Sequence, residues 1–112
     1  MINERSQDFP MDNIIKIVGK KWTIPLIKDM LSGKKQFKEF LISNKGLTNK
    51  ILSLRLKEME DVGLVEKYTF ETNSHITEYF LTENGKKVDI IYEMGNYMIN
   101  NMNENHEQVK QK

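Results

Sequence analysis

Residues Gly46 to Val65 read "GLTNKILSLRLKEMEDVGLV", and the rest of the fold can be worked out from this stretch. Thr48 is a natural N-cap and Gly63 a natural C-terminal break, so the spacing predicts a helix over about 48–62. At about 100° per residue, Leu52, Arg55, Leu56 and Met59 fall within about a quarter turn and should face a core. The Arg55 stem is expected on the border of that stripe, with its head reaching water. Lys50, Ser53, Leu54 and Lys57 fall on the opposite side, and Asn49 stands beside them near the N-terminus. That outer half is short, polar and cationic apart from Leu54.

Outward from this helix the pattern gives a small set of elements. On the N-terminal side, Met11, Ile14, Ile15 and Val18 form an apolar stripe ended by Gly19. A second helix is expected from Thr23, read as its cap, with Pro25 in the first turn and Leu26, Ile27, Met30 and Leu31 buried. Gly33 stops it. A third short helix carries Phe37, Phe40 and Leu41, and "SNKG" breaks it. After Gly63 the period changes. "LVEKYTF" and "ITEYFLT" are β-branched and aromatic runs joined by "ETNS", the signature of a hairpin. Thr82 then caps a last helix, expected over about Thr82–Asn101. A polar tail at 103–112 is read as flexible, leaving about 9–102 ordered. The fold class is mainly α with a small β-hairpin, an α+β single domain over 1–112. The short turn before the 48–62 helix has helix-turn-helix spacing, and the hairpin follows as a wing would.

Bulk properties narrow the function. The 112 residues contain no cysteine, which removes disulfides and thiolate metal sites. No apolar run is long enough to span a membrane, and "MINERSQDFP" lacks the basic flank and apolar block of a signal peptide, so a cytoplasmic location is expected. The net charge of +1 hides an asymmetry. Residues 16–57 hold eleven Lys/Arg against two acids, Asp29 and Glu39, a balance of +9. Residues 58–112 hold five Lys against eleven acids, a balance of −6. Such a division suits a polyanion contacting one half only, and charge alone fits solvated, Lys-rich helix faces equally well. Catalysis is not expected. His75 sits in a turn and His106 in the tail, and no phosphate loop, nucleophile elbow or metal-ligand pattern occurs. No metal or cofactor is implied.

The basic half places its charges around the helix-turn-helix. Asn49, Lys50, Ser53 and Leu54 are the candidates for base readout in a major groove, Leu54 through a thymine methyl. Lys34, Lys35, Lys38, Lys45, Thr48 and Lys57 are the candidates for phosphate contact, Thr48 at the helix N-terminus. An alternative is a winged helix used for protein contact through the Leu54 face, without sequence-specific DNA binding.

The segments "GKKWTIPLIKDML", "GKKQFKEF", "GLTNKILSLRLKEMEDVGLVEK" and "TEYFLTENGKKV" occur in an order and spacing that resemble the HxlR family of winged helix-turn-helix transcriptional regulators, relatives of the MarR group. The resemblance covers roughly residues 9 to 100. It implies a homodimer on double-stranded DNA, joined through the first and last helices. Ile14, Ile15, Val88, Ile91, Tyr92, Met94, Met98 and Met102 are then the interface candidates, and the Met- and aromatic-rich last helix suits that role. A small-molecule effector is kept open, with Trp22, Phe37, Phe40 and Tyr92 as its lining, although core packing is the preferred reading of those four. The chain departs from the family pattern in two places. Phe9-Pro10 stands where many members carry a cysteine, which some use to sense oxidants or electrophiles. The wing tip, Thr72, Asn73, Ser74 and His75, lacks the usual proline and arginine, and no Lys or Arg occurs from Tyr68 to Gly85. A weak wing contribution is expected.

Overall fold

The computed structural model describes residues 11–71 and 75–111, with side chains in the last helix described through residue 103. Phe9, Pro10 and the tip residues Thr72, Asn73 and Ser74 lie outside the described residues. The order is α1 (Met11–Val18), α2 (Thr23–Leu31), α3 (Phe37–Ser43), α4 (Asn49–Asp61), β1 (Val65–Glu71), β2 (His75–Leu81) and α5 (Glu83–Gln111). Among the described residues five helices and one antiparallel hairpin make a winged helix.

The core forms where the apolar faces of α2, α3 and α4 meet the root of the hairpin. Leu26, Ile27, Phe40, Leu52, Met59 and Leu64 have no exposed surface. Burying a side chain of this size contributes about 1.5–3 kcal/mol, so these few residues provide much of the driving force for a domain this small. Leu52, Leu56 and Met59 point inward as the helical spacing requires. Tyr79 of β2 sets its ring edge-on to Phe40, with centroids 6.3 Å apart, and so fastens the wing to α3.

Two turns fix how α4 enters and leaves this core. Gly46, at φ 95°, lies in the turn from α3 to α4, a backbone region that a side chain disfavours. At the other end Gly63, at φ 80°, closes α4 with paired bonds. Its N–H reaches the Glu60 carbonyl at 3.0 Å, and the Leu64 N–H reaches the Met59 carbonyl at 2.9 Å. The chain is thereby turned directly into β1, which places the hairpin beside α4.

Two local expectations are corrected. Thr23 does not cap α2. Its hydroxyl is buried and donates to the Ile17 carbonyl at 2.6 Å, while Trp22 takes the cap position in a left-handed conformation at φ 83°. The bond to α1 satisfies a buried hydroxyl that could not have been left unpaired. The last helix does not end near Asn101 but continues to Gln111. Residues 102–111 contain neither Gly nor Pro and are rich in Glu, Gln and Lys, which carry good helix propensity. Thr82 does cap it, accepting from the Gly85 N–H at 3.1 Å.

At about 1.5 Å per residue the 29 residues of α5 extend for about 43 Å. Its root is held to α2 by Lys28, which pairs with Asp89 at 2.7 Å and with Glu93. The hydrogen bonds that Lys28 donates to these carboxylates, Asp89 first and Glu93 second, raise its pKa above its ordinary value.

Candidate nucleic-acid interface

The outer half of α4 stands clear of the body. Thr48 has the extended backbone of an N-cap, and its hydroxyl accepts from the Ile51 N–H at 3.2 Å. Asn49, Lys50, Ser53 and Leu54 are all exposed, Leu54 by 48%. Among the described residues none of the four makes a side-chain hydrogen bond or ion pair. The side chains expected to read bases therefore share one open surface at the N-terminal half of a capped helix, where the helix dipole favours an anion.

The six phosphate candidates belong to one continuous segment, residues 34–57. Lys34 is half-buried; Lys35, Lys38, Lys45, Thr48 and Lys57 are exposed, as is the neighbouring Lys50. Two of the lysines have acidic neighbours. Lys35 lies 3.7 Å from Glu78 of the wing. Lys57 bonds Asp61 one turn on at 3.0 Å, and that hydrogen bond raises its pKa. Lys57 must exchange this partner to reach a phosphate, whereas Lys38, Lys45 and Lys50 have no ion pair among the described residues. The approach to α3 is braced by Glu39, whose carboxylate accepts from the Lys35 and Gln36 N–H groups at 2.9 Å each. Those bonds, from Lys35 first, hold the Glu39 carboxyl below its ordinary value.

Arg55 departs from the expectation that its head would reach water. The residue is 8% exposed. Its Nε donates to the Lys21 carbonyl at 3.1 Å, and its guanidinium pairs with Glu58, which also accepts Lys20 at 2.7 Å. Burial pushes the Glu58 carboxyl up, but the bonds from Lys20 and Arg55 outweigh it and hold the carboxyl low. Arg55 is an anchor between α4 and the turn after α1. That role was hidden in the sequence because the Lys21 carbonyl is 34 residues away.

The four rings proposed as an effector lining do not converge. Phe40 is fully buried, and Trp22 and Phe37 pack against the core. Tyr92 borders an apolar groove of about 510 Å³ between α1 and α5 whose walls include Ile14, Ile15, Val88 and Ile91. The interface candidates divide in the same way. Ile14 and Val88 pack partly on the core. Ile15, Ile91, Met94, Met98 and Met102 are exposed by 60–67%, and Tyr92 by 38%. Sequence reading did not single out Ile42 of α3, which is 83% exposed. His75 opens β2 with its ring 3.5 Å from Glu71.

Among the described residues no cluster of His, Asp and Glu could hold a metal ion, and no helix is long and apolar enough to cross a membrane. Comparison with known proteins places this architecture. YdeP of Bacillus subtilis, an uncharacterized HTH-type transcriptional regulator, is 32% identical over 91 residues, 79% of this chain and 71% of that protein. The reduced form of the transcriptional regulator YodB from Bacillus subtilis superimposes with a TM-score of 0.70 at 28% identity, covering 78% of this chain and 85% of that one. The redox regulator HypR in its reduced form gives a TM-score of 0.69 at 31% identity, covering 83% and 93%. The HxlR-like helix-turn-helix model matches residues 17–106, and the chain belongs to that family.

Proposed function

We propose that the chain is a homodimeric, sequence-specific DNA-binding transcriptional regulator that lays α4 in a major groove. The observation that carries this reading is the open outer half of α4. A capped helix presents Asn49, Lys50, Ser53 and Leu54 with no partner of their own among the described residues. Asn49, Lys50 and Ser53 can bond base edges, and Leu54 can meet a thymine methyl. Thr48, Lys34, Lys35, Lys38, Lys45 and Lys57 position the helix on phosphates. The regulator names of the family relatives support the same assignment.

The dimer is supported by α5. On a helical wheel its apolar side chains, from Ile90 and Tyr97 round to Tyr92, sweep about 220°, more than packing on one small body requires. Ile90, Ile91, Met94, Tyr97, Met98, Ile99 and Met102 are 57–68% exposed. Ile15 and Met11 of α1 extend the same apolar surface across the groove, at 60% and 65% exposed. A surface of this extent is rare on a monomer. A second copy, offering the same surface about a twofold axis, would cover it.

The test is fluorescence anisotropy on the DNA upstream of the chain's own gene and on a scrambled duplex, at two salt concentrations. The expected result is tighter binding to the upstream duplex, with affinity falling as salt rises. Absence of salt-sensitive binding to either duplex would refute the reading.

A further inference from the structure

We propose that the outward face of the hairpin is a docking surface for a protein partner whose docking segment is apolar and cationic. The register puts Val65, Tyr79 and Leu81 on the face toward the core and Glu66, Tyr68, Phe70, Ile76, Glu78 and Phe80 on the other. Four of those six outward residues are large and apolar or aromatic. Tyr68, Phe70, Ile76 and Phe80 are exposed by 48%, 46%, 38% and 36%. They are continuous rather than scattered. Phe70 lies directly opposite Ile76, and the rings of Tyr68 and Phe80 meet edge to face at 5.7 Å. Exposed rings gathered in this way mark contact surfaces.

Charge selects the kind of partner. Both charged residues on this face are acids. Glu66 accepts from the Tyr68 hydroxyl at 3.1 Å, and Glu78 faces Lys35 at 3.7 Å. No Lys or Arg occurs from Tyr68 to Gly85. Phosphate is held by cations, and wings that enter a narrow minor groove commonly use arginine. The strand residues on this face include no arginine or lysine, and the cation beside it, Lys35, is engaged by Glu78, so a DNA backbone would meet the carboxylate of Glu66. The same charge attracts a lysine- or arginine-bearing segment whose apolar residues can lie on the rings.

The edge of β1 offers that segment a place. Among the described residues β1 pairs with β2 alone. Along its root runs an open groove of about 540 Å³ lined by Glu60, Val65, Glu66, Lys67 and Tyr68 among others, with two acids against one base. An extended strand added at an edge gains main-chain bonds and sets alternate side chains on one face. A segment alternating a cation with an apolar residue matches the acids and rings here.

The experiment uses the full chain and a fluorescein-labelled peptide of alternating Lys and Val, with Lys/Ser and Glu/Val peptides as comparisons. The expected result is saturable binding of the Lys/Val peptide alone. It should weaken about tenfold or more, the loss typical of an aromatic anchor, in Phe70→Ser with Phe80→Ser and separately in Glu66→Lys. Circular dichroism checks that each variant is folded, and Glu66→Lys keeps the proposal testable if the double variant is not. Affinity for DNA should stay within about twofold in the folded variants. Equal binding of the Lys/Ser peptide would reduce the site to bare charge and overturn the proposal, as would no binding of the Lys/Val peptide to the unaltered chain. A folded Phe70→Ser, Phe80→Ser chain that loses DNA affinity would overturn it in favour of a wing that touches DNA.

Discussion

Substituting Gly95 distinguishes a free α5 from a paired one, because the two cases give opposite signs. Gly95 sits inside the helix, within the apolar arc and flanked one turn away by Ile91, Tyr92, Met98 and Ile99, and a Cβ built there meets nothing within 4 Å. In an exposed helix that follows its own propensity, Gly95→Ala should stabilise by about 0.8–1.0 kcal/mol. For a domain of this size that is a rise of roughly 4–8 °C in Tm. If two α5 helices cross at this point, the missing side chain is what lets the backbones approach. Gly95→Leu then overpacks the crossing at about 1–3 kcal/mol per copy. Twofold symmetry doubles this to about 2–6 kcal/mol, and even the low end raises the dimer Kd about thirtyfold. Sedimentation equilibrium across a dilution series, with melting curves at low and high protein concentration, reads both effects. The crossing is refuted if the unaltered chain is a dimer, Gly95→Leu leaves its Kd unchanged and Gly95→Ala raises Tm equally at both concentrations. A chain that is monomeric throughout refutes the dimer itself.

Other substitutions probe the α4 surface and its supports. Asn49→Ala should relax sequence preference by about 1–3 kcal/mol if Asn49 makes a paired base contact; equal losses on operator and scrambled duplex in competition binding would exclude it as a reader. Lys35→Ala should weaken binding to all duplexes alike and lower the salt slope by about one, and an unchanged slope would show that Lys35 serves only Glu78. Arg55→Met should lower stability by about 2–3 kcal/mol, since it removes charged hydrogen bonds from a nearly closed site. It should leave the salt slope intact, which separates an anchor from a phosphate ligand. Glu39 is held below its ordinary value of 4.5, so its bracing of α3 is complete above about that pH and is lost as pH falls through the lower, folded value. Melting curves between neutral and acid pH should show the gap between the native chain and Glu39→Gln closing in acid.

What could be read from sequence was what depends on near neighbours. The Thr48 cap, the Gly63 stop and the inward set Leu52, Leu56 and Met59 are each settled within a few residues, and the helix obeys them. Thr23 was misjudged because its partner, the Ile17 carbonyl, comes within reach only after α1 folds back. Arg55 was misjudged for the same reason over a longer span. At the end of α5 polarity was weighed against propensity, and propensity prevailed. The hairpin was legible as a hairpin, but both faces of its strands carry aromatic residues, so alternation alone could not say which set is buried. Contact between Tyr79 and Phe40 decides it and leaves Tyr68 and Phe80 outside.

The Arg55 anchor has a mechanical meaning. Lys20 and Lys21, the residues that Glu58 and Arg55 hold, follow α1 after a single residue, Gly19. The helix that would read DNA and the helix that borders the groove with α5 are therefore tied together through the Arg55–Glu58 contacts with residues 20 and 21. On α5 the matching tie is the clasp of Lys28 with Asp89 and Glu93, set where the helix leaves the body. A signal acting on such a dimer would not tilt α4 within its subunit. It would open or close the angle between two rigid halves, and the distance between the paired reading helices would change like the span of a pair of callipers.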